Sequence, residues 1–229
     1  MKPILAEAVH TYLIQQLLSV GFIPARDHVA SQLEVTTSEI EDAYKRLSDG
    51  HGLVLHPHVA EPWVIHPFSL SPTLNWVEKG SMGWWAPCIW CALGIATLAG
   101  GEVRIDTRLG AEGEPLSILV RDGVVASNES LLAHFAIPPK HAWNNVHLHC
   151  ALLLPFRSVS QVESWCEKHA VPLGEAIPLE QAASLAREWY GAYADVHWHK
   201  WSKAEAQSIF RKVGLNSAFW DLGSDLGGF

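Results

Sequence analysis

The sequence predicts an α+β protein: an N-terminal winged-helix-like helical region, then a mixed or antiparallel sheet core with flanking helices. Three observations carry this. The first fifty residues hold three helical stretches, followed by two short strand-like runs. The middle of the chain alternates with period two on either side of a glycine-rich turn. The last third returns to capped helical patterns. The chain therefore divides into residues 1–70, the winged-helix-like region, and residues 71–229, an α+β core domain with C-terminal helices. A length of 229 residues accommodates this division.

Residues Pro3 to Val20 place Leu5, Val9, Leu13 and Leu17 at helical spacing, and Gly21 ends the run. A second helix covers Arg26 to Leu33. A third is capped by Thr37 or Ser38, with Glu39, Glu41 and Asp42 near its start and Lys45 and Arg46 near its end, matching the helix dipole. Leu53 to His56 and Trp63 to His66 read as short strands, and Pro67 to Lys79 as a linker. Pro87 suits the first position of a helix, whose apolar run reaches Leu98 and stops at Gly100-Gly101. Glu102 to Arg108 and Leu116 to Val120 form a hairpin, and Asp122-Gly123 turns the chain toward Val124-Val125. Val146 to Phe156 is the strongest strand candidate. Helices follow at Ser160 to His169, Leu179 to Tyr190 and Lys203 to Val213, the first capped by Ser158 or Ser160 and the last by Ser202. The aromatic segment Phe219-Trp220-Asp221-Leu222 is expected to pack back on the core, and the glycine-rich end, 223–229, to be loose.

The net charge is −8, which argues against nucleic acid or an anionic membrane as partner. A recognition helix beginning Ser38-Glu39-Ile40-Glu41-Asp42 would bring acid toward phosphates, so the N-terminal region reads as a helical cap rather than a DNA reader. No apolar run reaches membrane-spanning length and no signal-peptide pattern is visible, so a soluble cytoplasmic protein acting on a small molecule is expected. There the four cysteines would be reduced: thiols, ligands or core fillers. The eleven Trp imply a large aromatic core. The thirteen His are mostly scattered (His10, His28, His51, His56, His58, His66) and read as surface or packing residues.

The chemistry concentrates at Cys88 and Cys91. One helical turn apart at a helix N-terminus, both would feel a partial positive charge that lowers thiol pKa. A single C-x-x-C is compatible with half a zinc site, a redox pair or two buried thiols. The preceding Gly80-Ser81-Met82-Gly83 does not suit a thioredoxin-like strand. Cys150 lies beside His147 and His149, but on a strand the histidines would face away from it. Cys166, directly after Trp165, reads as a buried structural thiol. His197-Trp198-His199 reads as a surface or packing cluster. Trp84, Trp85, Trp90 and Trp143 are candidates for the wall of an apolar pocket or for core.

Several collinear features resemble the organomercurial (alkylmercury) lyase family over most of the chain. These are the winged-helix-like start, the segment Cys88-Ile89-Trp90-Cys91-Ala92-Leu93 with its apolar continuation to Gly100, the turn Gly113-Glu114-Pro115, and Cys150 about fifteen residues before Trp165. The resemblance implies thiolates that take mercury from carbon and a proton delivered to the leaving carbon. Mercury is a soft cation that prefers thiolate sulfur. Carried over by position, Cys88 and Cys150 match the family's two catalytic cysteines. Cys91 stands where the family keeps its proton-shuttling aspartate. Further family cysteines fall at Leu109 and Ala151 and are absent. The resemblance thus implies Cys88, Cys91 and Cys150 as catalytic residues and as ligands of a soft metal (Hg, Cu or Zn), with no cofactor required. Other readings are a three-cysteine metal- or metalloid-binding protein without turnover, a fold relative recruited to mercury-independent chemistry such as a biosynthetic step, and a winged-helix regulator sensing soft metal.

Overall fold

The computed structural model describes residues 4–126 and 129–223. The expected loose end therefore lies outside the described residues from position 224 on. Helices and antiparallel strands alternate in groups, as the α+β class requires. Helices α1 (Leu5–Val20), α2 (Arg26–Gln32) and α3 (Thr37–Asp49) come first. The cap of α3 is one residue earlier than expected. Thr36 Oγ1 accepts from the Glu39 N–H at 3.2 Å while the Glu39 carboxylate accepts from the Thr36 N–H at 2.8 Å, so both orphan donors are satisfied.

Strands β1 (Val54–Leu55), β2 (Pro62–Ile65), β3 (Phe68–Ser69), β4 (Asn75–Lys79) and β5 (Met82–Ala86) follow. Residues 67–79, expected as a linker, thus supply two strands; their polar, proline-containing sequence hides short segments whose pairing is tertiary. After helix α4 (Ile89–Ala99) come β6 (Glu102–Arg108), β7 (Pro115–Arg121) and β8 (Val124–Val125). All eight strands join one antiparallel sheet in the order β1-β2-β3-β5-β4-β6-β7-β8. In β6 and β7 the burial alternates residue by residue, placing Val103, Ile105, Leu116, Ile118 and Val120 on the core face.

A second, three-stranded antiparallel sheet has the order β10-β9-β11, from β9 (Leu132–Phe135), β10 (Leu154–Phe156) and β11 (Glu175–Pro178). Here the long strand expected over Val146–Phe156 is corrected. Its first half is a short helix, α5 (Val146–Ala151), and only its end is β10. The Asn145 side chain accepts from the Leu148 N–H at 3.0 Å and starts a helical turn where the residue pattern alternates. Helices α6 (Val159–His169), α7 (Leu179–Tyr190) and α8 (Lys203–Lys212) complete the chain, with Ser158 and Ser202 as caps.

Helix α4 is apolar on every face and is accordingly central, with Ile89, Ala92, Leu93, Ile95 and Ala96 buried. It lies between the large sheet and α7. Gly94 permits this approach: a Cβ there would sit 2.4 Å from Tyr190 Cδ2. The Trp84 indole N–H donates to the Leu17 carbonyl at 2.7 Å, tying the sheet to α1. Trp220 and Leu222 are buried, so the aromatic tail does pack back on the core. No helix among the described residues is long and apolar enough to cross a membrane.

Candidate active site

Three thiols meet at the N-terminus of α4. Cys88 is the N-cap, not the residue after a helical Pro87; its backbone is extended (φ −153°, ψ 175°). Its Sγ accepts from the Cys91 N–H at 3.3 Å, taking the place that a serine oxygen fills in an ordinary cap. Cys91 lies in the first turn, with its Sγ 3.6 Å from the Tyr190 hydroxyl at the end of α7. The turn after α5 docks here, the Ile89 N–H donating to the Leu153 carbonyl at 3.4 Å, and brings Cys150 to the other two. All three cysteines are buried and none is in a disulfide.

A histidine completes the group. His66, just beyond β2, has its Nε2 3.9 Å from Cys150 Sγ. The ligand atoms of His66, Cys91 and Cys150 all lie within 4.8 Å of one another, a spacing suited to one soft metal ion. Sequence reasoning had placed His66 among scattered packing residues; nothing local marks it, since it reaches the thiols through sheet pairing. The short helix at α5 also revises the roles of its histidines. His149 and Cys150 line one cavity together, whereas His147 packs against Trp63 at 5.1 Å between ring centroids and lines another.

The three thiols share their protons unequally. Burial opposes ionisation of Cys88, but hydrogen bonds from the Cys150 and Cys91 thiols and from the Cys91 N–H outweigh it and hold Cys88 well below the ordinary thiol value. Burial and the Cys88 charge hold Cys91 well above it. Hydrogen bonding to Cys88 and Cys91, with burial, does the same for Cys150. Cys88, which accepts from both neighbours and from a helix N–H, is thus the thiol of the three that ionises most readily. His66 is kept neutral, its pKa lowered to about 3 by burial and by Lys200, His147 and His149 nearby.

Beside the thiols lies a small cavity with Cys91 and Cys150, but not Cys88, in its wall. Trp90, Phe135, Trp143, Trp189, Tyr190, Tyr193, Phe210 and Trp220 supply most of its lining. Trp90 and Trp143 thus hold the wall positions considered for them. Trp84 and Trp85 line a different groove with Trp76 and Phe68. Cys166 is away from the thiol group, buried in a small cluster with Leu154, Phe156 and Val162, its Sγ 3.7 Å from His134 Nε2. His197 and His199 are outside the cavity; His199 meets Glu205 at the surface. The residues that sequence reasoning missed are His66, Tyr190, Tyr193 and Lys200; His149 was set apart from Cys150 only because a strand was expected where α5 forms. Leu109 is buried core and Ala151 lines the cavity on the far side of Cys150.

Comparison with known proteins bears on the fold and the family. The chain superposes on a crystal structure of the mercury-bound form of MerB2 with a TM-score of 0.65 and 21% sequence identity, covering 85% of this chain and 92% of that one. That likeness shows a shared α+β fold. No curated protein sequence matches significantly. The alkylmercury lyase family profile matches residues 68–191, more than half of the chain and the whole stretch that carries the thiols. The chain belongs to the alkylmercury lyase family.

Proposed function

We propose that the protein cleaves carbon–mercury bonds by protonolysis. The observation that supports this best is geometric: three buried thiols, Cys88, Cys91 and Cys150, meet at the start of α4, and Cys91 and Cys150 open onto an aromatic cavity. An organomercurial enters with its organic group among the aromatic rings. Cys88 Sγ binds mercury and displaces the weaker counter-ligand. The carbon–mercury electron pair then takes the proton of Cys91, and the hydrocarbon leaves. Cys91 recovers a proton from Cys150, whose thiolate becomes the second sulfur ligand of mercury. In this scheme Cys91 does the work of a carboxylate acid. An external thiol finally removes the inorganic mercury.

The test is arene release. Purified protein is given phenylmercury and excess small thiol, and benzene is followed against a thiol-only blank. Benzene above the blank is expected, and its loss in Cys88→Ser and in Cys150→Ser. No benzene above the blank from the unaltered protein overturns the proposal. A second reading, capture of a soft metal without turnover, is favoured by the His66–Cys91–Cys150 spacing. It gains if benzene is absent while one mercury ion per chain is retained and is lost from Cys91→Ser.

A further inference from the structure

Apart from the thiols, the cavity wall carries a cation and no carboxylate to balance it. No Asp or Glu is among its lining residues, and Lys200 is the one lysine or arginine there. The Lys200 Nζ donates to the His51 carbonyl at 3.0 Å and stands 5.3 Å from the centroid of the Trp143 ring. That ring is stacked flat on His51, 4.4 Å between centroids at 6°. Among the described residues Lys200 has no carboxylate partner. Lys200 is half-buried, and a cation drawn into an apolar wall is favoured by an opposite charge. One ring contact and one carbonyl leave ammonium donors to spare.

Two more donors lack acceptors. Trp220 is 1% exposed, and its indole N–H has no hydrogen-bond partner; the Trp90 indole N–H has none either. Both rings line the same cavity.

We propose that this cavity selects substrates whose organic group carries a carboxylate or a similar anionic oxygen group, paired with the Lys200 ammonium. This deepens the lyase reading and rests on it for the identity of the reacting end. The mercury end meets the thiols while the anionic end meets Lys200. Burial lowers the Lys200 pKa to about 8, and an anion bound beside it would favour the charged form. A negative group is also kept from the Cys88 thiolate, which would repel it.

The experiment separates anion recognition from mercury chemistry. Benzoate and its neutral isostere benzamide are titrated against the unaltered protein, with binding read from tryptophan fluorescence. Benzoate is expected to bind about tenfold tighter or more, a difference within reach of one buried ion pair. In Lys200→Met benzoate should bind no better than benzamide, and Lys200→Arg should restore the preference. In turnover, the kcat/KM ratio of 4-carboxyphenylmercury to phenylmercury should fall by a similar factor in Lys200→Met. Equal binding of benzoate and benzamide by the unaltered protein overturns the proposal even if Lys200→Met does not fold, and so does an unchanged preference in a folded Lys200→Met. Benzoate preference without arene release from either mercurial would sink the lyase reading and leave the anion site standing.

Discussion

Histidine 10 gives a quantitative test of how the helical cap is held on the core. Its ring is buried in α1, stacked on Trp198 at 3.5 Å and 13°, with Tyr193 edge-on at 5.4 Å, and neither ring nitrogen has a partner. Burial first, then the charges of Lys200 and His66, lowers its pKa from 6.5 to about 3. A base whose folded pKa is depressed takes up its proton more readily when unfolded. Its penalty is therefore absent above about pH 6.5 and grows as pH falls toward about 3. At pH 5 the unfolded histidine is protonated and the folded one is not. The difference of about 1.5 pH units below the unfolded pKa amounts to about 2 kcal/mol. His66, with a shift of the same size, contributes a similar amount, so the two together cost about 4 kcal/mol between pH 7.5 and pH 5. His10→Phe keeps the ring and the stack and removes one titration. Urea unfolding at the two pH values, read by tryptophan fluorescence, should show the variant losing about 2 kcal/mol less than the parent. Any packing cost of the larger ring is common to both pH values and cancels. An equal loss in parent and variant would refute the argument.

The remaining predictions concern packing around the thiols. Cys166→Ser should leave arene release intact, because its sulfur sits with His134 and the β10 cluster rather than at the site; a cost of about 1–2 kcal/mol in urea unfolding is expected from the buried hydroxyl. A large loss of turnover there would mean that the wrong thiols have been assigned. Gly94→Ala should destabilise by about 1–3 kcal/mol, since its Cβ would lie 2.4 Å from Tyr190 Cδ2. The ring must yield, so Gly94→Ala should also lower arene release, as the Tyr190 hydroxyl shifts from its place 3.6 Å from Cys91; unchanged turnover would show that Tyr190 has no part in positioning that thiol.

The elements that were legible in the sequence are those whose signal is local. Helix α4 declares itself by an unbroken apolar run ended at Gly100, and the β6–β7 hairpin by strict alternation about a turn. Helix α5 is only six residues long and depends on the Asn145 side chain, too little for a periodic pattern. Strands β9 and β11 were invisible because their partners are remote: Glu175 faces Phe135 across forty positions of sequence. The site divides in the same way. Cys88 and Cys91 stand out by their spacing at a helix start, whereas Cys150 is singled out only by the family resemblance. His66, Tyr190 and Lys200 are common residue types at ordinary positions, brought in from the end of β2, the end of α7 and the segment before α8. Only tertiary packing gives them a role.

The exchange of a carboxylate for Cys91, which the motif correspondence implies, has a physical logic in the proposed reaction. A buried carboxylate beside the Cys88 thiolate would repel it, and one of the two would be forced to hold a proton. With thiols the sharing is already settled, because Cys88 carries the charge and raises the proton affinity of both neighbours. That charge is what mercury consumes. Once Cys88 is bound to the metal, the negative charge that kept the protons on Cys91 and Cys150 is neutralised, and a soft cation now favours their thiolate forms. The proton is therefore held while the site is empty and freed when the substrate arrives. The same arrangement leaves mercury held by the Cys88 and Cys150 thiolates after cleavage, with the re-protonated Cys91 beside them. Release of inorganic mercury to an external thiol, rather than cleavage of the carbon–mercury bond, is then the step expected to limit turnover.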